Sequence, residues 1–79
     1  MTYLEERITK ILLDDFKVPA EALGPDTAFG ELGFDSLVIV ELALVLDTEF
    51  GVALADGELT DAMTVADAAE LLAGKGVPS

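Results

Sequence analysis

The stretch Gly33-Phe34-Asp35-Ser36-Leu37-Val38-Ile39-Val40-Glu41-Leu42-Ala43-Leu44-Val45-Leu46 decides how this chain folds. Near its start stand Asp35 and Ser36, and either can serve as the N-cap of a helix. The residues that follow predict a helix from about Leu37 to Phe50, with Gly51 as its C-terminal stop. Ile39, Leu42, Ala43, Leu46 and Phe50 fall on one stripe and should face a core. Leu37, Val38, Val40, Leu44 and Val45 lie outside that stripe, and Glu41 is the only charged residue from Ser36 to Leu46. A helix that is apolar almost all round is normally buried all round. A chain of 79 residues cannot bury it alone, so part of the second face should meet a partner or a bound apolar ligand.

Toward the N-terminus, Leu4, Ile8, Ile11, Leu12 and Phe16 share one face of an amphipathic helix placed at about residues 3 to 16. Thr2 and Glu5 have the spacing of a capping box, and Pro19 stops the helix. Residues 17 to 35 form a long connection, pinned over the core by Leu23, Phe29, Leu32 and Phe34, with a turn at Pro25-Asp26-Thr27. Toward the C-terminus, Val52-Ala53-Leu54-Ala55 reads as an extended link. Asp56 is placed to cap a short helical piece from Gly57 to about Asp61. Thr64 and Asp67 repeat the capping-box spacing, and Val65, Ala68, Ala69 and Leu72 make one face of a final helix ended by Gly74. Residues 75–79 are expected as a loose tail. The chain reads as a single all-α domain over residues 1–79, with three main helices, a short fourth piece and one long loop.

Composition sets the limits. The length allows about 4,600 Å² of folded surface against roughly 12,000 Å² for the extended chain, hence one thin core. There are 16 acidic and 4 basic residues, a net charge of −12, so nucleic acid and anionic membrane surfaces are disfavoured as partners. Yet 52% of the residues are hydrophobic, which is the composition of a folded globule and not of a disordered acidic tract. No apolar run is long enough to span a bilayer, and the N-terminus lacks the basic and apolar regions of a secretory signal. A cytoplasmic protein is expected. With no Cys and no His, disulfides and catalytic pairs built on either residue are excluded, and no metal site is expected.

Phosphate-binding glycine motifs are absent, and the Asp26 region fails the calcium-loop pattern. Adjacent carboxylates such as Asp14-Asp15 do not converge on a substrate, so a self-contained enzyme is a poor reading. Ser36 is the residue that stands out. It sits at a helix start, where the unpaired N–H groups carry about half a positive charge and would stabilise a phosphodiester on its hydroxyl. On capping statistics alone, the commoner role of such a serine is simply the N-cap.

Leu32-Gly33-Phe34-Asp35-Ser36-Leu37, followed by Val40-Glu41-Leu42, resembles the phosphopantetheine attachment site of acyl carrier proteins. The likeness extends to the length, the acidity, the long first loop and the Phe50-Gly51 end of the second helix. The resemblance implies an acyl-carrier-protein-like four-helix bundle, with the short piece as its third helix. It implies a 4'-phosphopantetheine arm on Ser36, added from coenzyme A by a phosphopantetheinyl transferase and ending in a thiol that holds acyl groups as thioesters. It implies a shuttle and not a catalyst. Its partner face would hold Asp35, Leu37, Val38 and Glu41, with Asp47 at the edge. Acyltransferases, ketosynthases or other acyl-processing enzymes would meet that face with basic residues.

Val38 and Ile39 stand where carriers of fatty acid synthesis often have polar or acidic residues, and the acidic cluster late in the helix is thin, with Thr48 between Asp47 and Glu49. This favours a discrete carrier of polyketide or other specialised biosynthesis, ahead of a fatty-acid-synthesis carrier or a stand-alone peptidyl or aminoacyl carrier. The rival from another class is an acidic helical interaction module with no prosthetic group. It would dimerise or dock stably through the second helix, whereas the carrier should be a monomer. Ala43, Ala62, Ala66, Ala68 and Ala69 could leave room for part of an acyl chain, although close helix packing is the commoner use of such residues.

Overall fold

The computed structural model describes residues 2–78 and shows three α-helices. The first, α1 (Tyr3–Asp14), begins where the sequence places it. The Glu5 N–H donates to Thr2 Oγ1 at 3.1 Å, and the Thr2 N–H donates to Glu5 Oε1 at 2.7 Å. The helix ends two residues before the expected Phe16. Lys17 adopts φ +57, and the Val18 N–H turns back to the Leu12 carbonyl at 3.1 Å. The chain leaves the helix there, and Phe16 packs its ring 5.6 Å from that of Phe34.

The long connection is ordered by short 3₁₀ turns at Ala20–Ala22 and Phe29–Leu32, which period-3.6 reading does not detect. The turn at Pro25-Asp26 forms as expected, closed by Gly24 and Thr27. Of the four apolar anchors, Phe29 and Phe34 are buried, while Leu23 and Leu32 are half-buried against the core.

The second helix, α2 (Ser36–Phe50), ends at Gly51 with φ +66, a conformation that only glycine adopts freely. The third, α3 (Val65–Gly74), starts on the Thr64–Asp67 capping box and buries the expected Val65, Ala68, Ala69 and Leu72. These side chains meet Leu4, Ile8, Ile11 and Leu12 of α1 and Ile39, Leu42 and Leu46 of α2 in one core. The chain has an accessible surface of 4564 Å², as the size scaling requires. Its radius of gyration of 11.2 Å matches the ~11.6 Å of a compact chain of this length.

Two expectations are corrected. The segment from Gly57 to Asp61 is a run of turns and not a helix. Gly57 has φ +87, and the Glu58 carboxylate caps the Ala55 N–H at 2.7 Å, so the chain closes a turn where a helix would have to propagate. The tail is also not loose as far as residue 77. The Gly76 N–H bonds the Ala73 carbonyl, the Val77 N–H bonds the Leu72 carbonyl, and Val77 packs on the core. This is a helix stop of the Schellman kind, with Gly76 at φ +97. Ser79, the last residue of the expected tail, lies outside the described residues.

Candidate functional site

The site is built from the approach to α2. Gly33 takes φ +85 after the 3₁₀ turn, and Phe34 is pushed into the core, where its ring stacks 6.1 Å from Phe29. This buried ring fixes the height at which α2 begins. Asp35, one residue on, is the N-cap. Its Oδ1 accepts the Val38 N–H at 3.0 Å, and its carbonyl accepts the Ile39 N–H at 3.0 Å. Ser36 is therefore the first helical residue and is exposed. Because Asp35 has taken the capping role, the Ser36 hydroxyl is left outside it. The N–H groups of Ser36 and Leu37 have no carbonyl one turn back to receive them, so the positive end of the helix points at the serine.

Beside Ser36 runs a groove of about 490 Å³, within the range of about 300–1,000 Å³ common for small-molecule sites. One wall is α2, through Ile39, Val40, Ala43 and Leu44; the other is the irregular segment of residues 54–61. Of the small residues expected to leave room in the interior, Ala68 and Ala69 are instead packed in the core and Ala62 and Ala66 are exposed. Only Ala43 lines the groove.

The residues expected on a partner face separate into two groups. Asp35, Leu37 and Glu41 are exposed with Ser36 at the start of α2, and Leu37 and Glu41 are one turn apart on the same strip. Val38 is half-buried against the core. Asp47 is half-buried, and its Oδ1 accepts the Leu54 N–H at 3.0 Å, which ties the end of α2 to the link that follows. Ile39, one of the two residues on which the apolar character of the face rested, turns into the core. The apolar surface is supplied instead by Leu37, Val40 and Leu44, which are 66, 51 and 61% exposed. Val45, also expected outside the core stripe, packs against the core.

A family model described as the phosphopantetheine attachment site matches residues 6–72 of the chain. Curated relatives are 37% identical over 73 residues, covering 91% of this chain and 96% of their own length. They are the acyl carrier proteins of Nitratidesulfovibrio vulgaris strains DP4, Hildenborough and Miyazaki F. The chain belongs to the acyl carrier protein family. No solved structure matches it. The carrier is not an enzyme, and its family's prosthetic group is 4'-phosphopantetheine. In general its partners are the phosphopantetheinyl transferase and acyl-processing enzymes. Among the described residues no helix is long and apolar enough to cross a membrane.

Sequence reading passed over several residues that shape the site. Gly30 lies against the 61–63 segment: its N–H donates to the Asp61 carbonyl at 2.8 Å, and a Cβ there would sit 3.2 Å from that oxygen. Glu58 and Lys75 form an ion pair at 3.0 Å. Gly30, between Phe29 and Glu31, is readable as a loop glycine, but nothing in the sequence points to its contact with Asp61. The second joins residues 17 positions apart across an unpredicted turn and had no signal.

Proposed function

We propose that this carrier bears its 4'-phosphopantetheine on Ser36 and acts in the cytoplasm, in polyketide or other specialised biosynthesis. The observation that carries the reading is the division of labour at the start of α2: Asp35 caps the helix, and Ser36 stands exposed and uncommitted at the first helical position. A phosphate ester on that hydroxyl meets the positive end of α2, which offsets the neighbouring Asp35 carboxylate. When bound, the group supplies a thiol that carries acyl cargo as a thioester, a sulfur the chain itself lacks.

The protein's own residues position and present that cargo. Asp35 and Glu41 steer the carrier onto basic surfaces of the transferase and of acyltransferases or ketosynthases. Leu37, Val40 and Leu44 add apolar contact area, with Val38 and Asp47 at the edges of the same face. The groove beside Ser36 takes the apolar start of the cargo chain. The exposed apolar strip supports a specialised pathway, because such a strip fits partners that dock by shape as well as by charge.

The test is intact-protein mass spectrometry after incubation with coenzyme A and a broad-specificity phosphopantetheinyl transferase. One added phosphopantetheine on the Ser36 peptide is the expected result. No gain by a folded sample would leave an acidic helical interaction domain. The pathway is tested by comparing turnover of the loaded carrier with ketosynthases of polyketide and fatty acid synthesis. Preference for the fatty-acid enzyme would overturn that part.

A further inference from the structure

The two walls of the groove beside Ser36 are held in different ways. The α2 wall is a hydrogen-bonded helix with its opposite face in the core. The wall of residues 54–61 has no regular ladder and is held by core packing of Leu54 and Leu59 and by individual ties. At one end the Leu54 N–H donates to Asp47 Oδ1, and at the other the Asp61 carbonyl accepts the Gly30 N–H. Between them Leu59 is buried, and the Lys75 ammonium lies 3.0 Å from Glu58 Oε1. The same Oε1 accepts the Ala55 N–H at 2.7 Å, and the Glu58 N–H donates to the Ala55 carbonyl at 3.1 Å. Lys75 thus grips the atom that closes the turn at the middle of the wall, and it does so from the end of α3.

Among the described residues this ion pair is the least exposed of three. Its side chains are 27 and 33% exposed, against 80 and 59% for Lys10 and Asp14. What fixes its geometry is that Glu58 Oε1 takes both the Lys75 ammonium and the Ala55 N–H. The Glu58 carboxyl is held below the ordinary carboxylate range, first by the hydrogen bond from the Ala55 N–H and then by that from Lys75.

We propose that Lys75 is a positioning residue for cargo: by holding Glu58 it sets the outer wall of the groove, and with it how well the groove shelters the apolar start of an acyl chain. This rests on the reading that cargo is carried at Ser36. With Lys75 neutralised, the wall stays tethered at residues 54 and 61 and anchored by Leu59, so the fold persists while the turn at 55–58 loosens.

The experiment compares the wild type with Lys75→Gln and Lys75→Arg. Amide hydrogen exchange of the unloaded proteins is followed at Ala55 and Glu58, with α1 amides as the internal reference. Exchange at the two turn positions should rise roughly three- to tenfold in Lys75→Gln and return toward wild type in Lys75→Arg. Each protein is then loaded with an octanoyl-phosphopantetheine arm, and cleavage of the thioester by hydroxylamine is timed. Cleavage should be about two- to threefold faster in Lys75→Gln, since a wider groove exposes more of the chain to solvent. Unchanged exchange, or faster exchange with unchanged cleavage, overturns the proposal. Loading is read separately by mass. Failure of the wild type to load would count against the Ser36 reading, while exchange of the unloaded chain still decides whether Lys75 holds the wall.

Discussion

Asp35 and Ser36 are both good capping residues, and the fold gives them different work. Asp35 takes the cap, so Ser36→Ala should abolish loading while changing stability by less than the ~1 kcal/mol typical of a lost cap. Mass spectrometry and a denaturant titration on the same sample check both halves. Loading that persists in Ser36→Ala would sink the attachment site. Asp35→Ala should cost about 1 kcal/mol, whereas Asp35→Asn should keep most of that stability and lose only the charge. If Asp35 steers partners, Asp35→Asn still slows association with the transferase. Equal rates for wild type and Asp35→Asn would restrict Asp35 to its structural role.

At the scale of the element, α2 carries a buried face and an unburied apolar one, and that second face is what sets it apart from α1 and α3. Glu41 lies among Leu37, Val40 and Leu44 on the exposed side. Glu41→Lys should leave the melting temperature nearly unchanged and lower the association rate with a basic partner by on the order of tenfold at low salt. Stopped-flow association at two ionic strengths checks this; an unchanged rate would remove Glu41 from the interface. The end of α1 tests the backbone in the same spirit. Lys17 holds a left-handed conformation that costs an ordinary residue about 1–2 kcal/mol. Lys17→Gly should therefore gain roughly 0.5–1 kcal/mol, after allowing for the added freedom of glycine in the unfolded chain.

For the whole molecule, charge dominates. Three of the four basic residues are already in ion pairs, and 16 carboxylates surround them. Arg7 joins two helices, bonding Glu49 at 2.9 Å and lying 4.6 Å from the centre of the Phe50 ring. Self-repulsion at a net charge of −12 should be relieved by salt. Raising the ionic strength from about 0.01 M to 0.15 M shortens the Debye length from about 30 to 8 Å and should stabilise the fold by about 1 kcal/mol, roughly 4–8 °C in melting temperature. A melting point that falls with salt would show that the ion pairs outweigh the repulsion. Glu58 makes the opposite contribution at low pH. Its carboxyl is depressed in the folded state, so its stabilising share is present at neutral pH and is lost as pH falls below the ordinary value of about 4.3. The stability advantage of the wild type over Glu58→Gln should shrink through that range in parallel acid titrations. Sedimentation of the unmodified protein should give a monomer; a stable dimer would favour the docking-module reading of α2.

The sequence by itself determined the three helices, their caps, most of the core and the motif that holds Ser36. These depend on neighbours within a turn or two, where periodicity and side-chain-to-backbone bonds act locally. Thr2 with Glu5, Thr64 with Asp67, and Gly51 are all readable in that way. Only the tertiary structure decided which of Asp35 and Ser36 caps α2, and that Val38 and Val45 pack on the core while Leu37, Val40 and Leu44 stay exposed. It also decided that residues 57–61 make turns and that Lys75 holds them. Each of those outcomes depends on residues distant in sequence. Phe34 must stack on Phe29 before α2 has a starting height, and Val38 and Val45 pack inward only because the assembled core is there to receive them. Burial is a property of the assembled molecule, and a pattern along one helix records it only in part.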